Sequence, residues 1–158
     1  MMKKYLLLLG ISLSILSCSL SKVNKTSRNT INGTWILNDV SYENAGHYKS
    51  ILFNDAQGIC YEGSEWFFRE NNSTGHYSLL NASQCDNNLR YIRWSVVEGT
   101  PSQLQFKFTD EKKKDLTGSG YRLIISSLSD QEMILKNNVT SVEGNQVTLV
   151  YKFTKKSI

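Results

Sequence analysis

Leu89-Arg90-Tyr91-Ile92-Arg93-Trp94-Ser95-Val96-Val97-Glu98-Gly99-Thr100-Pro101-Ser102-Gln103-Leu104-Gln105-Phe106-Lys107-Phe108 is the stretch that decides the fold of this 158-residue chain. Ile92, Trp94 and Val96 alternate with Arg93 and Ser95. Leu104, Phe106 and Phe108 alternate with Gln103, Gln105 and Lys107. A period of two puts the apolar side chains on one face and the polar ones on the other. Glu98 to Pro101 reads as a turn, which makes the stretch an antiparallel hairpin with one apolar face. A lone hairpin does not stay folded in water, so the remaining chain has to cover that face.

Similar alternation recurs on both sides. Strands are predicted at 34–41, 64–70, 75–80, 89–97, 103–109, 120–126, 131–136 and 145–154. Asn137-Asn138 is expected to end the seventh, and Val147, Leu149, Tyr151 and Phe153 form the apolar face of the eighth. Short links after the first connection join neighbours antiparallel, as a meander. Eight such strands leave exposed edges unless the sheet closes. The fold class is therefore all-β, an eight-stranded antiparallel up-and-down barrel without a substantial C-terminal helix. Its interior is wide enough to be packed or to hold one small ligand. Residues 43–58 lack a readable period and are expected as a short helix or irregular loop over one mouth, either an access lid or a fixed plug.

Composition agrees with a single folded β domain. Apolar residues make up 40% of the chain, with eight Tyr, six Phe and three Trp, which argues against disorder. The formal charge is +4; without Lys3 and Lys4, 16 basic against 14 acidic residues leave +2. That is too little to argue for a nucleic-acid partner. Lys112-Lys113-Lys114 is flanked by Asp110, Glu111 and Asp115 and reads as a solvated loop.

The N-terminus reads as a processing signal. Met1 to Lys4 is a basic start, and Tyr5 to Leu16 is an apolar run too short for an ordinary spanning helix. Ile15-Leu16-Ser17-Cys18 resembles the lipobox of bacterial lipoproteins. The resemblance implies a signal peptide over 1–17, cleavage before Cys18, and acyl chains such as palmitate on that cysteine. Several chains on one residue hold firmly, at about 0.8 kcal/mol per buried methylene. It implies a lipid-anchored protein of the bacterial cell envelope; Ser19, which is not aspartate, favours the outer membrane. Residues 18–30 are polar and basic and are read as a flexible tether, leaving 31–158 as the domain.

Cys60 and Cys85 are the only other cysteines. In an exported protein an isolated pair points to a disulfide, with two free thiols or a metal site as the alternatives. Neither His47 nor His76 lies at a spacing that would complete a metal site, and no cofactor is expected.

Gly33-Thr34-Trp35, Gly63-Ser64-Glu65-Trp66, Arg93-Trp94 and the closing strand Val147 to Phe153 together resemble the lipocalin-like lipoproteins of Bacteroidetes, over about Ile31 to Lys156. By that resemblance Gly33 and Trp35 are structural, with the tryptophan packed across the closed end and hydrophobic ligands entering the other. The chain departs from the family pattern. It has no Thr-Asp-Tyr turn between the sixth and seventh strands and no clear arginine after the last strand to stack on Trp35.

Catalysis is not expected. A triad needs a nucleophile near a histidine with an acid partner. His47 lies in the unreadable segment, and His76 alternates onto the side of Ser78 and Leu80 and reads as structural or surface. Nothing makes Glu65 and Glu70 face each other as a glycosidase pair. The leading expectation is an envelope protein that binds a small hydrophobic or amphipathic molecule. Trp66, Phe68, Trp94, Leu104, Phe106, Leu123, Leu149 and Tyr151 are the candidate cavity residues. This reading requires a cavity of at least about 300 Å³ open at one end. The alternative is a packed barrel serving as a structural or protein-interaction module, meeting an envelope partner through loops or exposed aromatics such as Tyr42, Tyr48 or Tyr61.

Overall fold

The computed structural model describes residues 21–43, 45–48, 50–80, 82–140 and 144–157; the signal segment, Cys18 and the start of the tether lie outside them. Helix α1 (Lys22–Ile31) precedes β1 (Gly33–Tyr42). Then come β2 (Ala45–His47), β3 (Ile51–Leu52), β4 (Ala56–Gln57), α2 (Gly58–Tyr61), β5 (Ser64–Arg69) and β6 (Thr74–Ser78). The chain ends with β7 (Arg90–Val97), β8 (Gln103–Thr109), β9 (Tyr121–Leu128), β10 (Glu132–Thr140) and β11 (Gln146–Lys155).

Strand β1 and strands β5 to β11 form an antiparallel meander, and β11 pairs back on β1 to close an eight-stranded barrel. Short β2 adds to β1 at one end. No helix follows β11 among the described residues. The β7–β8 hairpin has the expected register, with Ile92 opposite Phe108, Trp94 opposite Phe106 and Val96 opposite Leu104. Five of these six are buried and Phe108 is half-buried, so the hairpin turns its apolar face inward. Strand β10 runs past Asn137-Asn138 to Thr140. Backbone pairing with β11 continues through the two asparagines, and the Thr148 hydroxyl donates to Asn138 Oδ1. Cross-strand pairing outweighs their poor strand propensity.

The expected flexible tether is corrected over residues 22–30, which lie in α1. Ser21 caps it by accepting from the Asn24 backbone N–H. Asn24, Arg28 and Ile31 recur at spacings of four and three and form its buried face. Asn24 donates to the Val96 carbonyl, and Arg28 donates to the Glu70 carbonyl and the Ser73 hydroxyl. The Arg28 guanidinium also lies 4.9 Å above the Trp94 ring. The helix thus seals one end of the barrel with polar side chains that satisfy strand-end groups.

Trp35 sits against this seal, fully buried, and its indole N–H donates to the Ile31 carbonyl at 2.8 Å. Lys155 fills the place left by the missing arginine: its Nζ stands 5.0 Å over the Trp35 ring and donates to the Thr30 carbonyl. The Cys60–Cys85 pair is a disulfide, tying α2 to the loop before β7.

Candidate functional site

The opposite end of the barrel is the mouth, where Leu52, Phe53, Cys60 and Tyr61 turn into the core. Over 43–58 the expected short helix or irregular loop is, among the described residues, three short strands joined by turns. β3 and β4 pair as a small hairpin, and α2 is a single turn. Gly58 lies under the Tyr48 backbone, where a Cβ would stand 2.2 Å from the Tyr48 oxygen, so only glycine lets the chain cross there. At the hairpin tip Phe53 and Asn54 both have φ of 52°. Asparagine tolerates that left-handed geometry; phenylalanine is strained by it.

The strain places the Phe53 ring inside the barrel. It packs edge-on to Phe106 (5.0 Å), Tyr121 (5.1 Å) and Tyr61 (5.6 Å) and stacks on Tyr151 (5.8 Å). Tyr121 donates its hydroxyl to the Phe53 carbonyl. Behind this group Trp66 stacks on Tyr77 at 4.1 Å, and its indole donates to Ser64.

All eight sequence-predicted cavity residues are buried and turned inward. Phe106 and Tyr151 touch Phe53, with Trp66 behind them. Phe68 and Trp94 pack together at the sealed end, and Leu104, Leu123 and Leu149 belong to the same core. With the hairpin in place, the Phe53 ring occupies the space between Phe106 and Tyr151. A cleft of about 380 Å³ lies outside the closure, between Asp55, Arg90, Leu89, Phe108 and Leu116.

Asp55 makes that closure. Its Oδ2 accepts from the Tyr77 hydroxyl at 2.6 Å, the Tyr61 hydroxyl at 2.9 Å and Arg90 Nε at 2.8 Å. Arg90 is itself held by the carbonyls of Asp86 and Asn88, each at 2.6 Å from Nη1. Burial, reinforced by the Asp55 carboxylate, pushes both phenols far above their ordinary range, so they remain donors at any physiological pH. The charge pair is largely shielded from water, which makes it stronger than a surface pair.

Other candidates separate. Tyr61 is fully buried rather than an exposed docking aromatic, because α2 turns its ring into the barrel; Tyr42 and Tyr48 are half-buried and pack edge-to-face at 5.6 Å. Glu65 pairs with Lys156 and Glu70 with Arg28 at opposite ends of β5, roughly 16 Å apart by strand rise. His76 stands on the outer face between Phe67 and Tyr91, and burial followed by the nearby Arg69 charge lowers its pKa. Another cleft, about 530 Å³, lies on the outer face of β7–β9 beside Arg93, Lys107 and Arg122, away from the interior. The residues missed from sequence are Phe53, Asp55, Tyr77 and Arg90, whose grouping depends on the folded mouth.

Residues 31–135 match the lipocalin-like domain family. No curated protein matches the chain. Among solved structures, the chain is similar to bovine odorant-binding protein in complex with a selenium-containing odorant, at 14% identity over 83% of this chain and 73% of that one, with a TM-score of 0.44. It is also similar to bovine odorant-binding protein with undecanal, at 14% identity over 89% and 77%, with a TM-score of 0.40. Likenesses this distant add no weight to the family match. On the match over residues 31–135, the chain belongs to the lipocalin-like family.

Proposed function

We propose that the chain is an envelope lipoprotein of the Bacteroidetes type, held on the outer membrane by acyl chains at Cys18 and carrying a small apolar or amphipathic molecule in its barrel. Lipocalins are a non-catalytic, ligand-binding family, and no enzymatic activity is assigned. The barrel is of a kind suited to a small hydrophobic or amphipathic molecule. Residues 1–17 serve as the signal peptide, and the folded domain follows almost at once, because α1 starts four residues after Cys18. The sealed end then sits beside the bilayer and the mouth points away from it. Binding proceeds when the 51–57 hairpin leaves and a ligand takes the space of Phe53.

The observation that carries this reading is the character of the mouth. Five of the six large apolar side chains left exposed among the described residues stand there: Ile51, Ile59, Leu80, Leu89 and Leu116. They surround a plug whose tip is strained. Strain of this kind gathers at binding and switching sites. The Phe53 ring lodged among Phe106, Tyr61, Tyr121 and Tyr151 favours a second reading, in which the apolar rim docks an envelope protein.

Native mass spectrometry of the full-length protein from its own cells tests the proposal. The expected result is an acylated Cys18 and a co-purifying small molecule. Repeated recovery of acylated but empty protein, bound to a protein partner, would favour the second reading. Recovery without acyl chains would remove the anchor.

A further inference from the structure

The plug has the chemistry of a ligand. Phe53 supplies an apolar ring lodged among Phe106, Tyr61, Tyr121 and Tyr151. Asp55, two residues on, supplies a carboxylate to Arg90, Tyr61 and Tyr77. The receiving groups do not belong to the hairpin. Arg90 is positioned by the Asp86 and Asn88 carbonyls, Tyr77 by β6 and Tyr61 by α2. The Cys60–Cys85 disulfide holds α2 to the loop that positions Arg90.

When the hairpin leaves, the ring slot and the carboxylate cage are vacated together. Two phenols and a guanidinium then lose the charged acceptor they share, and keep only weaker partners: Tyr61 and Tyr77 each other at 3.2 Å, Arg90 the Asp86 side chain at 3.6 Å and the Asp86 and Asn88 carbonyls. Three donors aimed at one point in a partly dry site bond a charged acceptor more strongly than a neutral one, so the vacated cage favours an anionic head over a neutral or cationic one. The cleft that leads to it is walled by Leu89, Phe108 and Leu116 and opens beside Asp55 and Arg90.

We propose that the barrel's ligand is an amphipathic carboxylate, with its acid head in the place of Asp55 and its apolar body in the place of Phe53. The 51–57 hairpin is a built-in competitor for the same site. The strained φ of Phe53 weakens that competitor. This inference rests on the reading that the interior takes a small molecule, and it adds the chemical class of that molecule.

The test uses the full-length protein in nanodiscs, titrated calorimetrically with phenylhexanoate and with the matching alcohol, phenylhexanol. Wild type is compared with Asp55→Ala, Phe53→Gly and Arg90→Gln, each checked for its fold by near-ultraviolet circular dichroism. The acid is expected to bind at least about tenfold tighter than the alcohol. Asp55→Ala removes the competing anion and tightens acid binding by about tenfold, while Arg90→Gln erases the preference for the acid. Equal affinity for acid and alcohol, or weaker acid binding by folded Asp55→Ala, overturns the carboxylate assignment and leaves small-molecule binding standing. Failure of both compounds to bind any folded variant, Phe53→Gly included, overturns the small-molecule reading as well.

Discussion

Replacing Phe53 by alanine and, separately, by glycine distinguishes packing from backbone strain at the plug. The ring is 7% exposed and touches four other rings, so Phe53→Ala is expected to cost about 3–5 kcal/mol, as for a core phenylalanine. The backbone at this residue has a φ of 52°. A left-handed non-glycine residue is penalised by roughly 1–2 kcal/mol, a penalty that alanine keeps and glycine escapes. Glycine also carries more chain entropy than alanine when unfolded, which costs it roughly 0.5–1 kcal/mol elsewhere. The first effect outweighs the second, so Phe53→Gly should be more stable than Phe53→Ala by ~0.5–1 kcal/mol. Urea unfolding of the full-length protein, followed by tryptophan fluorescence at unchanged m-value, measures both. A glycine variant less stable than the alanine variant would refute the strain. A loss below ~1 kcal/mol in both would refute the packing.

Lys155→Gln removes the cation over Trp35 and is expected to cost about 1–2 kcal/mol, with Lys155→Arg close to wild type, by the same unfolding assay. Replacing Cys60 and Cys85 together by serine should lower stability by about 2–4 kcal/mol and leave the barrel folded by far-ultraviolet circular dichroism. Burial raises the phenol pKa values of Tyr61, Tyr77 and Tyr151 above the unfolded value. The folded state therefore keeps protons that the unfolded chain loses, so full stability holds below about pH 10 and declines as pH rises beyond it. Each such phenol contributes about 1.4 kcal/mol per pH unit there, measurable by urea midpoints at successive pH values. Tyr77→Phe should make that decline shallower.

The barrel was legible because its central strands alternate. Ile92, Trp94 and Val96 against Leu104 and Phe106 needed nothing beyond a period of two, and the burial of all five follows it. The sealed end was half legible. Trp35 could be placed by its motif, but α1 could not, since its buried face carries Asn24 and Arg28 and shows no apolar stripe. Those two are buried because strand-end carbonyls await them, a fact of the tertiary fold. Lys155 reads as a polar strand end until Trp35 is seen beneath it. The mouth was the least legible. Asp55 meets Arg90 across 35 residues of chain and Tyr77 across 22, and neither spacing carries a local signal. The eight inward candidates were found because core and cavity positions share one pattern, which is also why pattern alone could not show that Phe53 lies among them.

Amide hydrogen exchange across 51–57, with and without saturating phenylhexanoate, bears most directly on whether a small molecule displaces the plug. In the closed state the Asp55 amide donates to the Leu52 carbonyl and the Gly58 amide to the Ser50 carbonyl, so both exchange slowly. Displacement predicts faster exchange at these amides on ligand addition, with the strands of the barrel unchanged. Equal or greater protection of the hairpin with ligand bound would contradict it.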